Sequence, residues 1–244
     1  MPVNHQKIQK AMIINNVCKF LVLFIVVACS QSDPRYIGKQ YLGAKYLESP
    51  LGEEKAPDTD PLIRFDAFDC MTFIETALAN GDLDRLNKIR YKNGEIDFLT
   101  RNHFTELDWL QNNKNIVENV SRKYGKTNIR RVVIDKQNWL KKVHNIDIKI
   151  PKQTVEIEYI PYSELVNIDN KNPLIVLFII DNPNMYNKIG TDLAVIHTGF
   201  LLPGNVLRHA SRRYGRVMDA DFGEYLQSLK KRKYGLGIAL LEIK

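Results

Sequence analysis

The first thirty residues constrain this chain more than any other stretch, because they decide in which compartment it folds. They contain three lysines and no acidic residue, and the nine-residue apolar run FLVLFIVVA comes directly before Cys29. A positively charged N-terminal region, a short apolar stretch and a small residue before the cleavage site are typical of a secretory signal peptide. A membrane-spanning helix, by contrast, needs about 20 apolar residues. We therefore predict that residues 1–28 are a signal peptide and that the chain leaves the cytoplasm.

The residues around the predicted cleavage site indicate how the exported chain is attached to a membrane. Val26-Val27-Ala28-Cys29 resembles the lipobox of bacterial lipoproteins, in which the cysteine is acylated and becomes the mature N-terminus. The resemblance implies lipidation of Cys29, and several acyl chains on one residue anchor a protein stably. We expect a tether over residues 29–40 and a folded domain over residues 41–244. The protein is then a periplasmic monomer anchored to a membrane, with the outer membrane as the expected location.

Export makes the cysteine count informative. Cys18 leaves with the signal and Cys29 carries the lipid, so the mature domain keeps Cys70 alone and has no partner for an intramolecular disulfide. In an oxidising compartment a single cysteine is either an inert buried residue or a reactive thiol. About 215 residues follow the signal, which is enough for a hydrophobic core that needs no disulfide or metal.

Charge gives little information about partners. Three of the 35 basic residues precede Cys29, which leaves 32 basic against 28 acidic residues and a net charge of +4 in the remaining chain. This balance suits an anionic wall or membrane surface, although a solvated face is the default interpretation. The cluster Lys230-Lys231-Arg232-Lys233 has the same interpretation. Because no nucleic-acid signature accompanies it, we expect no nucleic-acid partner.

Periodicity divides the domain into helices followed by strands. Asp69 is a favourable N-cap for a helix that ends at Asn80-Gly81, and a partly helical region with Trp109 and Leu110 in the core is expected further on. A second helix is predicted over 82–90, a capped helix in DADFGEYLQSLKK, and strands over 174–180, 192–202, 205–211 and 236–243. This order predicts an α+β domain with helices packed on a mainly antiparallel sheet.

The position of Cys70 at the start of the first predicted helix favours a reactive thiol. A cysteine in the first helical turn faces unsatisfied backbone N–H groups and the positive end of the helix dipole, which stabilise the thiolate and lower its pKa. The alternative is that Cys70 packs with Ile74 and Ala77 on the inner face of the helix. A matching base elsewhere in the sequence would favour the reactive thiol.

Two histidines on one predicted hairpin supply such a base. His197 lies on the strand DLAVIHTGFLL, and the turn Pro203-Gly204 leads back through LRHAS, which contains His209. If paired residues have numbers that sum to 406 or 408, His197 lies opposite His209 or Ser211 and the side chains share one face. Cys70, His197 and His209 can then be interpreted as nucleophile, base and orienting residue. Two unrelated strand histidines are the alternative, and a one-residue slip of the register would separate them.

Short motifs, taken in chain order, carry a resemblance to a known family. A cysteine at a helix start, H-T-G-F on a strand and H-A-S twelve residues after the first histidine resemble the NlpC-type, papain-like cysteine hydrolases of bacterial cell walls. More narrowly, YLGAKYL, FDCMTFIE, IRYKNGEIDFLTRNHFTELDWLQNN, IEYIPYSEL and LRHAS resemble the N-acetylmuramoyl-L-alanine amidase-like branch, formerly a domain of unknown function. The likeness runs from about Tyr41 to the C-terminus and implies a papain-like NlpC-type fold.

The same resemblance implies which residues line a substrate cleft. Tyr46 ends the stretch that reads G-x-P-Y in the family, and it would line the cleft together with Asp69. This sequence has Lys45 where that stretch has proline. His103, in the branch-specific R-x-H-F stretch, would also face the cleft, with a packing or surface role as the alternative.

The activity implied by the resemblance is hydrolysis of peptidoglycan, or of muropeptides released from it, at the amide between N-acetylmuramic acid and L-alanine. Cys70 would attack the lactyl carbonyl, His197 would act as base and His209 would be the third, polar member. This chemistry passes through a thioester and needs no cofactor.

Three alternatives stay open. Other members of the fold cut between D-glutamate and the diamino acid, and in these an aspartate before the cysteine holds the free L-alanine amine, a role that Asp69 permits. A metalloamidase would draw ligands from the histidines at 103, 144, 197 and 209, but no H-E-x-x-H or comparable spacing appears, so we predict no metal site. The third is a non-catalytic wall-binding lipoprotein, against which the intact cysteine and histidine pair argue.

Overall fold

A ten-stranded sheet organises the chain in a computed structural model that describes residues 34–165 and 167–244. The predicted signal peptide, Cys18 and Cys29 therefore lie outside the described residues. The strands are β1 (Lys45–Tyr46), β2 (Ala67–Phe68), β3 (Val117–Asn119), β4 (Asn128–Ile134), β5 (Gln153–Pro161), β6 (Leu174–Ile180), β7 (Val195–Leu202), β8 (Val206–Ser211), β9 (Arg216–Asp221) and β10 (Gly235–Ile243).

The helices lie between these strands. They are α1 (Cys70–Ala79), α2 (Leu83–Arg90), α3 (Leu110–Asn112), α4 (Lys136–His144), α5 (Met185–Ile189) and α6 (Phe222–Lys230). A π-helical turn at Thr105–Trp109 leads directly into α3, and short 3-10 turns occur at Pro34–Tyr36, Lys39–Tyr41, Lys92–Gly94 and Ser121–Lys123. Within residues 34–165 and 167–244, no helix has the length and apolar character that crossing a membrane requires.

The sheet is mixed. Its order is β2-β1-β9-β8-β7-β6-β10-β5-β4, with β3 added beside β10. β1 and β2 pair in parallel, Lys45 with Ala67 and Tyr46 with Phe68, whereas the other pairings are antiparallel. A long loop connects β1 to β2. Two parallel strands need such a crossover connection, whereas two antiparallel strands can be joined by a tight hairpin. The predicted α+β class is thus confirmed, and the sheet that was expected to be mainly antiparallel is corrected to a curled, mixed one.

The central strand β6 is buried on both faces, as its apolar run predicts. Alternate residues belong to two hydrophobic clusters, Ile175, Leu177 and Ile179 to one, and Leu174, Val176 and Phe178 to the other. The first cluster contains the inner face of α1 and the second contains that of α6. The two helices therefore cover opposite faces of the sheet.

Packing of α1 against the sheet fixes the helix that begins with Cys70. Phe73 is fully buried, and its ring meets Phe200 of β7 edge-on at a centroid distance of 5.7 Å and Phe68 at 6.0 Å. Edge-to-face aromatic pairs contribute about 0.5–1.5 kcal/mol beyond their buried area. α1 is thereby attached to the strand that carries His197.

The order of elements differs from helices followed by strands, because β4, α4 and β5 precede β6. Arg131 of β4 lies opposite Glu156 of β5, and the two side chains form an ion pair. Val132 and Ile134 on β4 are buried. This alternation of charged and apolar residues is the period-two pattern of a half-exposed strand.

The chain before Tyr41 already contacts the domain. Arg208 of β8 donates to the carbonyls of Arg35 and Ile37 at 2.7 and 2.9 Å, and Ile37 packs on the core. Gly38 has a φ of 66°, and a side chain there would meet Phe73 at 2.8 Å. This part of the predicted tether therefore packs against α1 and β8.

Candidate active site

A cavity of about 710 Å³ brings the predicted nucleophile, base and orienting residue together. Cys70, His197 and His209 all line it, as do Tyr46 and Ser211. α1, β7 and β8 each contribute one of the three predicted catalytic side chains. The cavity falls within the size range of small-molecule sites, which is about 300–1,000 Å³.

Asp69 holds the start of α1 and thereby the position of Cys70. Its Oδ1 accepts the backbone N–H groups of Met71 at 3.0 Å and Thr72 at 2.7 Å, and the Thr72 hydroxyl accepts from the Asp69 N–H at 3.0 Å. This reciprocal capping box satisfies helix N–H groups that otherwise lack partners. The predicted N-cap is confirmed, and Cys70 is the first residue of the helix.

The thiol of Cys70 has the opposite pKa shift from the one expected. Burial is the largest cause and the charge of Asp69 the second, and together they raise the pKa to about 12. The N–H groups of Thr198, Cys70 and Met71 act in the other direction but do not compensate. The helix start therefore supplies donors for a developing anion, while the resting group is a neutral thiol.

The two histidines meet as the hairpin prediction requires. Leu201 pairs with Leu207 and Phe200 with Arg208, so paired numbers sum to 408, which is one of the two predicted registers. His197 Nε2 lies 2.7 Å from His209 Nδ1, diagonally across the hairpin. This hydrogen bond leaves His197 Nδ1 for a second partner.

Gly199 makes the histidine contact possible. A side chain at this position would come within 2.9 Å of the His209 Cβ and 3.0 Å of the Arg208 carbonyl oxygen. Any larger residue would push β8 away from β7. The glycine of H-T-G-F therefore has a packing role in bringing His209 to His197.

Both imidazoles are neutral at neutral pH. Burial, then the neighbouring His209 and Arg232, lower the pKa of His197 to about 3. Burial lowers the pKa of His209 to about 4, against a smaller opposing effect of Asp219. In a neutral pair one ring donates its N–H and the other accepts, so the hydrogen bond couples the tautomers of the two rings.

Tyr46 lines the cavity, as the resemblance implies. Burial, followed by the charges of Cys70 and Asp69, raises the pKa of its hydroxyl to about 12, so Tyr46 is a hydrogen-bond donor. Lys45, which replaces the family's proline, pairs with Ala67 on one side and Arg216 on the other. The substitution is compatible with β1, and Tyr46 still reaches the cavity.

The other two residues expected in the cleft are not among those that line the cavity. The carboxylate of Asp69 is occupied by the cap and, at Oδ2, by the N–H of Ser49 at 3.2 Å. His103 packs among the rings of Phe98, Trp139 and His144, and its Nε2 donates to the Phe98 carbonyl at 2.6 Å. The His103 ring therefore packs within this aromatic cluster.

Sequence reasoning missed one wall of the cavity. Glu224, Ser228 and Arg232 line it from α6 and the residues just after it, at the helical spacing i, i+4, i+8. Tyr225 lies beside them, and its ring meets His209 at 5.1 Å and His197 at 6.2 Å. The helical spacing of these residues is the signal that could have found this wall. The basic cluster at residues 230–233, for which the sequence favours a solvated face, contributes Arg232 to the cavity.

No group of three or more histidine, cysteine or acidic side chains suited to a metal ion occurs in the described ranges. In the cavity itself the two histidines bind each other.

Comparisons with known proteins agree with the fold and the motifs. A search of curated proteins found no match. A Legionella pneumophila protein assigned to the family DUF1460 superimposes with a TM-score of 0.79 at 23% identity, covering 91% of this chain and 92% of its own. An N-acetylmuramoyl-L-alanine amidase from Bacteroides uniformis superimposes with a TM-score of 0.66 at 21% identity, covering 88% of this chain and 99% of its own. The model of the AmiA-like family, described as N-acetylmuramoyl-L-alanine amidase-like, matches residues 36–236. The chain therefore belongs to the AmiA-like family.

Proposed function

We propose that this protein is a peptidoglycan hydrolase that cleaves the amide between N-acetylmuramic acid and L-alanine through the thiol of Cys70. One observation carries the proposal: Cys70 at the start of α1 and the hydrogen-bonded pair of His197 and His209 line the same cavity. Membership of an amidase-like family supports the choice of bond. A nucleophile on a helix start with a base on a strand is also the arrangement expected of a papain-like, NlpC-type hydrolase.

The proposed reaction begins from neutral groups. The Cys70 sulfur attacks the lactyl carbonyl carbon while its proton moves to His197, so the S–C bond forms as the thiol loses its proton. The backbone N–H of Cys70 and the Tyr46 hydroxyl are the donors proposed for the carbonyl oxygen as it becomes an oxyanion. The raised pKa of Cys70 and the lowered pKa of His197 make proton transfer during the attack more favourable than a preformed ion pair.

Collapse of the tetrahedral intermediate completes the first half. His197 gives its proton to the nitrogen of L-alanine, the C–N bond breaks, and the peptide leaves as a free amine. Water then attacks the thioester, with His197 accepting its proton, and the muramic acid carboxylate is released as the thiol is restored. His209 keeps His197 in the tautomer that accepts a proton.

The structure favours the amidase over the endopeptidase of the same fold. An endopeptidase would need the Asp69 carboxylate to bind the free amine of L-alanine. Both oxygens of Asp69 already accept hydrogen bonds, Oδ1 within the helix cap and Oδ2 from Ser49. A substrate amine would have to compete at Oδ1 with the N–H groups of the helix cap, or share Oδ2 with the N–H of Ser49.

Mass spectrometry of digested muropeptides tests the bond. Amide cleavage would release a sugar bearing a free lactyl carboxylate and a peptide that begins with L-alanine, whereas the endopeptidase would release a sugar that keeps a dipeptide. The control is His197→Ala, which should give neither product. A chelator should leave the wild-type rate unchanged, because the proposed steps use no metal. A dipeptide-bearing sugar would replace the amidase with the endopeptidase, and no product from any muropeptide would favour the non-catalytic binding protein.

The expected location agrees with such a substrate. A lipid on Cys29 would tether the domain at a membrane surface within reach of wall fragments. Cys29→Ser should abolish labelling by a fatty-acid analogue and release the protein from membranes in high salt. Continued sedimentation of the unlabelled variant with membranes would show that something other than the acyl chains holds it.

A further inference from the structure

Glu106 is a buried carboxyl that the proposed mechanism does not use. It lies on the π-helical turn Thr105–Trp109, inside the longest of the family motifs, and only 3% of its surface is exposed. Burial raises the pKa of this carboxyl. Single π-helical turns inside helices frequently occur at functional sites, and a buried ionisable group is costly unless other groups compensate it.

The hydrogen-bond partners of Glu106 lie at the start of β7, 88 residues away in sequence. Its Oε1 accepts the N–H of Ala194 at 2.6 Å, and the N–H of Val195 also donates to the carboxyl. The Oε2 atom is buried and has no hydrogen-bond partner in the described part of the chain. The Glu106 carboxyl therefore binds the backbone at the start of β7.

That strand end contains a β-bulge. Phe178 pairs with His197 and the next residue, Ile179, pairs with Val195, so Ile196 is an extra residue. The Ile196 side chain is 47% exposed, and the chain directly after it carries His197. A bulge redirects the side chains that follow it, and loss of one residue of register would turn each of them to the opposite face.

We propose that Glu106 is a positioning residue for His197. Its carboxyl fixes the two N–H groups on the N-terminal side of the bulge, and this keeps the bulge at Ile196 and the His197 ring in contact with His209. The inference rests on the proposed function in so far as His197 serves there as the base. Three contacts then hold residues 194–198: Glu106 binds the backbone before the bulge, His209 binds the His197 ring, and the Thr198 N–H is directed at Cys70.

The test compares four variants of the full chain, all made with Cys18→Ser and Cys29→Ser so that Cys70 is its single cysteine. Glu106→Ala removes the hydrogen-bond acceptor of the Ala194 N–H. Glu106→Asp shortens the side chain by one methylene, so its carboxyl no longer reaches this N–H, and Glu106→Gln keeps an acceptor oxygen in place. Val132→Ala on β4 is the matched control, because it opens a cavity in the hydrophobic cluster that also contains Ala194 and Val195 but removes no hydrogen bond to them. We expect the Ala and Asp variants to lower kcat by about 10²-fold with little change in KM. Gln and the control should stay near the wild-type rate.

A second readout does not depend on the substrate. The N–H proton shared between His197 and His209 should give a low-field resonance in the wild type, since the two nitrogens lie 2.7 Å apart. The resonance should move or disappear in the Ala and Asp variants and persist in Gln and Val132→Ala. If the wild type cleaves no muropeptide yet the resonance responds in this way, the proposed function fails and the positioning role stands.

Three results would overturn the inference. The first is an Ala or Asp variant with wild-type kcat and an unchanged resonance but a lower melting temperature, which would make Glu106 a stabilising residue alone. The second is a Gln variant as impaired as Ala, because the retained oxygen should be sufficient. The third is an equal loss of kcat in Val132→Ala, which would attribute the effect to lowered stability. If Ala fails to fold, the comparison of Asp with Gln decides.

Discussion

The Cys70 thiol and the His197 imidazole are both neutral near pH 7, because each is buried where its charged form is disfavoured. The sequence shows a cysteine behind a good N-cap, and from this position alone a lowered pKa is expected. Burial of the thiol in the folded domain is a tertiary effect that no local pattern contains, and it is the largest cause of the raised pKa. The meeting of Cys70, His197 and His209 in one cavity was therefore predictable from sequence, whereas their charge state was not.

The pH dependence of turnover follows from these shifts. The pKa values of His197 and His209, about 3 and about 4, predict that kcat/KM stays level through the neutral range and falls only below about pH 4, when the base becomes protonated. The measurement is a pH profile of kcat/KM on a muropeptide, with far-UV circular dichroism confirming that the protein is folded at each pH. An acid limb near pH 6.5, the value of an ordinary histidine, would show that burial does not set the charge of the base.

Substitution of His209 separates an orienting residue from one that only packs. His209→Ala should lower the rate by roughly 10- to 10⁴-fold, whereas His197→Ala abolishes it, since one fixes the tautomer and the other moves the proton. His209→Asn should do less harm than Ala, because an amide oxygen can still accept the N–H of His197. Rate and melting temperature are measured together on each variant. A near-wild-type rate with a lower melting temperature in His209→Ala would reduce His209 to packing and leave Ser211 as the next candidate.

Among the elements, α1 and the hairpin of β7 and β8 were predictable because their signals are local. Asp69 and Asn80 mark the two ends of α1, and Pro203-Gly204 marks the turn. β1 and β2 are only two residues long and pair across a long loop, so their sequences contain no periodic signal. The bulge at Ile196 is equally invisible, since it depends on β6 and on Glu106.

Capping of α1 gives a test that also separates the two wall activities. Asp69→Asn keeps an oxygen for the N–H groups of Met71 and Thr72, so stability should change little and amidase turnover should stay close to wild type. Loss of the negative charge should also lower the pKa of Cys70 and speed its alkylation. Asp69→Ala should cost about 1 kcal/mol of stability and misplace the thiol. Thermal melts, iodoacetamide labelling and kinetics report the three effects, and a complete loss of turnover in Asp69→Asn would instead support a carboxylate that binds the substrate amine.

The whole domain should lose stability in acid partly through histidines that are buried without charge. Burial holds the pKa of His103 well below its usual value, so below about pH 6.5 the unfolded chain binds a proton that the folded chain does not. The stabilisation is thus present above pH 6.5 and is lost as the pH falls, by about 1.4 kcal/mol per pH unit. His103→Gln retains a donor for the Phe98 carbonyl but does not titrate, so its denaturant midpoint should depend less on pH between 6 and 4.5. Equal slopes for the two proteins would contradict a neutral, buried His103.

At the scale of the molecule, the sheet brings distant segments into one cavity. Tyr46, Cys70, His197 and Tyr225 come from β1, α1, β7 and α6, and the order of the strands places β1 beside β9, which in turn pairs with β8. The family motifs in the sequence mark most of these segments, although they do not show that α6 closes the cavity. The central claim is that the one cysteine in this cavity performs the chemistry.

The most direct test of that claim is the turnover of Cys70→Ala, measured by mass spectrometry of a muropeptide digest alongside the wild type. Alanine removes the nucleophile but leaves the cap of Asp69 and the packing of Phe73 intact, so the melting temperature should stay close to that of the wild type. The account predicts that the wild type releases the free sugar and the L-alanine peptide, while Cys70→Ala leaves the substrate whole. Cleavage by Cys70→Ala at the wild-type rate would contradict it.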